Sequence, residues 1–335
     1  NGVVQSCPSL LLEPASTNLV TYSEDFSQSA WVKLGVGTGS AAVVTSNYAS
    51  SPDGTQNAAR LQCDLNGGTT TSDQSIIYDI DSSNTSQTIS IYLKSNNGQN
   101  QEVYLANTFG LNDTVVITTE WKRYVFTHSS SNHTFSLGSR GSTGSSDVLD
   151  ILIWGAQSEA LSYATSYIPT LSGASQTRAA ETCNNAGTAS TFNSTEGVLY
   201  AEISALANDG TFRTISLSNG TNTNRVSVLY NTTSNNVSYY IRNTSGVLLS
   251  DNNSVTDIKD TIKIAIKYKS TDFAMWLNGV EVATSTSIGD FSSNNLTKLS
   301  FDNGGGTDDF YGNTKDVRVF NEALTDLQLQ KLTTL

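Results

Sequence analysis

The chain has 335 residues, 37% of them hydrophobic and only 14% charged, with a formal net charge of −12 at pH 7. That balance leaves no basic footprint for phosphates, which argues against nucleic acid and anionic membranes as partners, and no apolar run approaches the roughly 20 residues that span a bilayer. Fourteen Tyr and 11 Phe exceed what disordered polar chains carry, so the abundant Ser, Thr, Asn and Gly coat a folded protein, long enough for two domains.

The opening "NGVVQSCPS" reads as the interior of a longer chain. From residue 7 to 168 the runs are strand-length: "SLLLEP", "AWVKLG", "AAVVTS", "AARLQCD", "TISIYLK", "EVYLAN", "TVVITT", "KRYVFTH", "TFSLGS" and "LDILIWGAQ". Turn signals such as "PDGT", "NGG" and "SNNG" separate them at the spacing of a sandwich. In "TISIYLK", Ile89, Ile91 and Leu93 share one face, whereas "DILIWGA" is apolar on both faces and reads as a central strand. No long amphipathic helix interrupts the series, which excludes a parallel βαβ sheet. Cys7, Cys63 and Cys183 are odd in number and lack metal-site spacing. They read as unreactive thiols, with a Cys7–Cys183 bridge as the alternative.

Residues 169–196 are rich in small polar side chains and show no strand pattern, as expected of a linker or a strap over a domain surface. A second strand series follows: "GVLYAEISAL", "TFRTISLSNG", "NRVSVLYN", "NVSYYIRN", "TIKIAIKYK", "FAMWLNGVEVATS", "LTKLSFDN" and "KDVRVFN". Asn278-Gly279 suits the type I′ turn of a hairpin. The chain closes on a helix signal, in which Thr325 and Gln328 form a capping box, Leu324 and Leu329 a hydrophobic staple, and Lys331 meets the last turn. At about two turns this helix is too short to stand alone and must dock. The expected organisation is a first domain over 1–182, a linker over 183–196 and a second domain over 197–335, both all-β sandwiches.

Two resemblances enter on these residues. "TTEWKRYVFTHSSSNHTFSLGSRGSTGSSDVLDILIWGAQSEALSYATSYIPT" resembles the end of a galactose-binding-like jelly-roll carbohydrate-binding module. "CPSLLLEPASTNLVTYSEDFSQSAW" and "ATSYIPT…ASQTRAAE" are similar to stretches of bacteriophage tail-fibre and virion adhesin proteins, so that the likeness spans residues 5 to 182. "FAMWLNGVEVA" and "FYGNTKDVRVFNEALTDLQLQKL" resemble the concanavalin A-like, laminin-G type sandwich, in which a short helix follows the last strand and caps one edge. These likenesses imply a non-enzymatic adhesin on a virion surface or otherwise extracellular. Its expected partners are a cell-surface polysaccharide or glycan, other virion proteins and further copies of itself. A structural or decoration protein, or the binding region of a secreted polysaccharide-degrading enzyme, is the alternative.

Catalytic signatures are missing. There is no G-x-S-x-G, Walker loop or H-E-x-x-H, and His128 and His133 read as loop histidines. Glu202 and Asp316 are carboxylates of the kind any sandwich offers, without the surrounding set that a lyase or hydrolase needs. Sugar binding needs flat aromatic faces with amides and carboxylates for the hydroxyls. Trp31, Trp121, Trp276, Asn278 and Tyr311 are the candidates, while Trp154 reads as core. Asp302, Asn303, Asp308 and Asp309, in "DNGGGTDDFYG", bring hard oxygens to a Gly-rich loop, which suits calcium, a cation both resembled families carry. With Asp251 in "SDNNS", however, they read first as ordinary solvated turns, since Asx and Gly dominate turns for backbone reasons. Sequons at Asn84, Asn112, Asn231 and Asn295 are expected by chance in such a composition.

Overall fold

Apolar–polar alternation becomes antiparallel strand almost throughout the computed structural model, which describes residues 9–80, 87–106, 114–128 and 134–335. Cys7, His133, Asn84 and Asn112 lie outside the described residues. The strands in chain order begin with β1 (Leu10–Leu12), β2 (Ser16–Asn18), β3 (Val32–Val36), β4 (Val43–Ala49), β5 (Ala58–Asp64) and β6 (Gln74–Ile80). They continue with β7 (Gln87–Ser95), β8 (Gln101–Ala106), β9 (Thr114–Ile117), β10 (Lys122–His128), β11 (Thr134–Arg140), β12 (Val148–Glu159) and β13 (Gln176–Arg178). Next come β14 (Glu196–Ala205), β15 (Arg213–Ser218), β16 (Arg225–Tyr230), β17 (Asn236–Asn243) and β18 (Gly246–Ser254). The last are β19 (Ile262–Lys269), β20 (Phe273–Leu277), β21 (Val280–Ser285), β22 (Lys298–Ser300) and β23 (Gly312–Phe320), followed by the helix α1 (Asp326–Thr333).

Two compact units result. One is Ala15–Ala179, a sandwich of two five-stranded sheets, β10-β7-β12-β5-β4 and β3-β6-β11-β8-β9. Ile89, Ile91 and Leu93 of β7 enter its core with Leu61, Ile151, Leu137 and Val103, as their period-2 spacing requires. The short ladder β13-β2 pairs the two ends of this unit, Gln176 opposite Asn18 and Arg178 opposite Ser16. The other unit combines Ala180–Leu335 with the residues leading up to Pro14. Its sheets are β1-β23-β14-β19-β20-β21 and β18-β17-β16-β15-β22, with Leu199, Ile264 and Met275 of the first facing Ile215, Val226 and Tyr239 of the second in one core.

This division corrects the N-terminal boundary. "SLLLEP" does not open the first sandwich. Leu10–Leu12 pairs with Thr314–Gly312 of β23, and Leu12 is buried in the second unit's core. The first unit is therefore an insertion between β1 and β14. Where the chain leaves and returns, Glu13 N–H donates to the Glu181 carboxylate at 2.9 Å and Glu181 N–H donates to Glu13 O at 3.0 Å.

Residues 183–196 are a strap and not a free linker. Ala186 pairs with Leu299, Phe301 N–H donates to Cys183 O, and Phe192 packs on the core. Cys183 is exposed and Cys63 buried, both free. Four strands escaped the periodicity reading: β2, β6, β13 and β18. Asp251 lies within β18 and not in a turn, because the Asn-rich "SDNNS" pairs with Asn236–Tyr240. The hairpin and helix formed as expected. Asn278 and Gly279 take φ of 48° and 84°, the left-handed pair a type I′ turn requires. Thr325 and Gln328 complete the capping box, and Leu324 and Leu329 join one apolar cluster.

Candidate functional site

The "WGAQSE" motif of β12 positions the site through hydrogen bonds from buried side chains. Gln157 accepts from Ile168 N–H at 2.6 Å. Glu159, wholly buried, accepts from Thr165 N–H at 3.0 Å and from the Ser16 hydroxyl at 2.6 Å. Asn18 donates to Ala156 O and Ile168 O at 3.1 and 2.8 Å. Together these groups fasten residues 165–170 over the outer face of the β10-β7-β12-β5-β4 sheet. Gly155, at φ +67°, completes the arrangement, since a Cβ there would stand 3.3 Å from Tyr92 and 3.4 Å from Tyr167. The Trp154 ring consequently lies between Tyr92 and Tyr167, at centroid distances of 5.4 and 4.7 Å. Trp154 is buried as expected, but on the outside of its sheet, and its indole N–H has no partner.

Beside this cluster an open cleft of about 420 Å³ is lined by Glu24, Asp25, Ser27, Ser46, Asn47, Asn57 and Leu171. Glu24 accepts from the Tyr167 hydroxyl at 3.0 Å and from the Asn57 amide at 2.8 Å. Burial raises its carboxyl above the ordinary range, Asp53 adds to this, and the two donated hydrogen bonds oppose it. Asp25 is also partly desolvated, yet donation from Gln28 and from the side chain and backbone of Ser27 holds it below the usual range. The Asn57 side-chain oxygen is buried without a donor. Leu171, 65% exposed, contributes the apolar wall.

The loop following β4 joins this cleft to an aromatic surface. Trp121, half-buried, donates its indole N–H to Ser50 O at 3.1 Å. Two residues earlier Tyr48 is 43% exposed, with the Arg60 guanidinium 5.1 Å from its ring centroid. Arg60 is gripped by Asp150 through two 2.7 Å hydrogen bonds, which hold the Asp150 carboxyl below its usual range. Trp121, the Tyr48–Arg60–Asp150 group and the polar cleft therefore all adjoin β4 and the loop that follows it. Spacing alone could not single out Glu24, Asn57 or Tyr48. The available signal was the odd "WGAQSE" run, whose polar residues interrupt an otherwise apolar strand.

The other expected residues are placed differently. Trp31 is 1% exposed, packs against Phe26 and Phe135, and donates to Tyr22 O at 2.8 Å, so it is core and not a sugar platform. Trp276 is buried as well, on the outer face of β20 beneath Leu329 and Leu324 of the helix. The Asn278 side-chain oxygen is occupied by Lys263 N–H at 2.9 Å inside the hairpin. Tyr311, half-buried, donates to Asp309 at 3.3 Å. The acidic loop does not converge with Trp276, because it is bound to the opposite sheet: Thr214 N–H donates to Asp308 O, and Arg225 donates to Asn303 O.

The loop's oxygens are also largely taken. Asp302 accepts from Gly304 N–H, Asn303 from Gly305 N–H, and Asp308 from the Asn303 amide. Asp302 is buried, which raises its carboxyl despite the Gly304 hydrogen bond, with Asp309 nearby raising it further. A dication would lower it. Among the described residues no group of three or more His, Cys, Asp or Glu side chains is gathered to hold a metal. Glu202 and Asp316 are direct cross-strand partners on β14 and β23, each already ion-paired, to Lys315 and Arg318.

No protein-family model matches the chain, and no curated protein matches it in sequence. Among solved structures it is similar to the CBM40 module of the Ruminococcus gnavus IT-sialidase bound to α2,3-sialyllactose, at 15% identity over 46% of this chain and 97% of that one, with a TM-score of 0.37. It is similar to domain 4 of a GH43 extracellular arabinanase from Geobacillus stearothermophilus in complex with arabinotriose, at 14% identity over 49% and 75% and a TM-score of 0.37. The mouse laminin α1 chain, domains LG4-5, matches at 9% identity over 88% and 93%, with a TM-score of 0.30. These overlaps assign no ligand to this chain.

Proposed function

We propose that the protein is a non-enzymatic glycan-binding adhesin whose site is the Glu24–Asn57 cleft together with Trp121 and Tyr48. The observation that carries the reading is the lining of that cleft. Carboxylate, amide and hydroxyl groups stand near the exposed Tyr48 and half-buried Trp121 rings, the donor–acceptor mixture that satisfies sugar hydroxyls while the rings cover C–H faces. Catalysis is disfavoured because both carboxylates are spent on local order, Glu24 on Tyr167 and Asn57, Asp25 on Ser27 and Gln28. A neutral polar surface of net negative charge suits ligands rich in hydroxyls, with millimolar-to-micromolar affinity per site raised by multivalent display. Display on a virion or other extracellular particle, contacts with other virion proteins and homo-oligomerisation belong to this reading, as does calcium on the Asp302–Asp309 loop.

The test is a glycan array probed with the whole chain, with Asn57→Ala and with Trp121→Ala, each with and without EDTA. Binding lost in both variants supports the cleft. Binding retained in both places the site elsewhere, and binding lost only with EDTA replaces the cleft by the acidic loop.

A further inference from the structure

The outer face of the β18-β17-β16-β15-β22 sheet carries a charge arrangement that the fold does not need. Arg225 on β16 and Arg242 on β17 are direct cross-strand partners, and Ser218 and Lys298 continue the same row onto β15 and β22. Like charges placed directly opposite destabilise a ladder, and here three cations share one row in a chain with 18 Lys and Arg against 30 Asp and Glu. Proximity to Arg242, after desolvation, lowers the Arg225 pKa. Arg225 donates to Asn303 O at 2.9 Å and lies 5.6 Å from the Tyr240 ring centroid, but its Nε–H is buried without a partner. Arg242 is exposed, and no carboxylate is paired with it among the described residues. Asp308 faces Arg225, and Asp302 faces Lys298, each only at longer electrostatic range. In the adjacent row Ser216 and Ser227 are cross-strand partners, both fully buried, with hydroxyls that lack hydrogen-bond partners. Tyr240 completes that row.

We infer that this row is a second binding site, independent of the cleft, which takes the carboxylate of an acidic sugar between Arg225 and Arg242. A carboxylate resolves the like-charge pair, since the exposed Arg242 guanidinium presents a fork matched to its two oxygens, while Arg225, held by Asn303 O, adds its charge beside it. The half-buried Tyr240 ring offers a face for the sugar's C–H groups. The chain's overall acidity repels polyanions at long range, so selectivity falls on ligands with isolated carboxylates among hydroxyls.

The experiment is calorimetric titration of the full chain with a trisaccharide of two neutral sugars and one galacturonic acid, its carboxyl-reduced counterpart and inorganic sulfate. The expected result is binding of the acidic trisaccharide, at least tenfold weaker for the reduced form, at least tenfold weaker in Arg242→Gln, and weakened by salt. Arg242 is exposed, so Arg242→Gln should melt as the parent does; a lower melting point would move the comparison to Arg242→Lys, which should retain part of the affinity if charge is what matters. Trp121→Ala should bind the acidic trisaccharide like the parent, which separates this site from the cleft. Equal affinity for the acidic and reduced sugars overturns the inference. So does an unchanged Arg242→Gln, and so does sulfate competing as well as the sugar, which would mean an unselective anion contact.

Discussion

Two tryptophans outside the main sandwich cores have opposite fates. Trp121 in the first unit keeps part of its ring in solvent, with its N–H bound to a loop carbonyl. Trp276 in the second unit lies within β20, and its ring is buried under α1. The helix is held there by more than apolar contact. Lys267, itself 4% exposed, reaches Asp326 at 3.1 Å and Asp272 at 2.7 Å. Gly279 N–H donates to the Thr333 hydroxyl at 3.1 Å. The difference teaches that outward alternation in a sandwich makes an aromatic available, and that a cover supplied from elsewhere in the chain decides whether it remains so.

The comparison breaks most readily at the helix. Leu329→Ala removes a fully buried side chain and should cost about 2–5 kcal/mol in the second unit. Indole emission should shift to the red as Trp276 meets water, while the first unit's melting is unchanged. An unaltered melting curve would mean that the helix does not seal Trp276.

Acid should discriminate the units in the other direction. Asp73 of the first unit accepts from the backbone N–H and hydroxyl of both Thr38 and Thr70, which holds its carboxyl far below the usual range. A depressed carboxyl contributes stability above its unfolded value, near pH 4, and that contribution is lost as pH falls. The first unit should therefore weaken progressively below about pH 4, and Asp73→Asn should flatten this dependence at a lower starting stability. Parallel acid curves for parent and variant would show that other carboxyls set the response.

Thr325→Ala removes the capping hydroxyl and should cost about 1 kcal/mol, read as an earlier second-unit transition than the parent's. The smallest stability effect belongs to Trp121→Ala, expected within about 1 kcal/mol because the ring is already half in solvent, yet it should abolish glycan binding at the cleft. Strong destabilisation there would reclassify Trp121 as a structural residue like Trp276.

Local chemistry was legible in advance because its partners are near in sequence. The Asn278-Gly279 turn, the Thr325 capping box and the alternation in β7 each involve residues within a few positions of one another. Burial of Trp154 was legible from its doubly apolar strand, but that of Trp31 and Trp276 was not, since Trp276 is covered by a residue 53 positions onward, and Trp31, in a polar run, is closed over by Phe135. The cleft was invisible for the same reason. Glu24, Asn57 and Tyr167 are scattered along the chain and meet only through the hydrogen bonds that Glu24 accepts, with Tyr167 set in place by the long-range bonds of Asn18, Gln157 and Glu159 to the segment around it. Asp251 misled because "SDNNS" carries turn chemistry, while its pairing with β17 prevailed.

The insertion of the first unit between β1 and β14 has a consequence for biosynthesis. Leu10–Leu12 leaves the ribosome at least 300 residues ahead of its partner residues Gly312–Thr314. Throughout translation the first unit can mature by itself, whereas three leucines that will form a sheet edge must wait without a strand to join. Closure of the six-stranded sheet is thus a proofreading step: a chain cut short before β23 retains a folded first unit beside an unpaired apolar segment, the feature by which quality-control factors recognise an unfinished product.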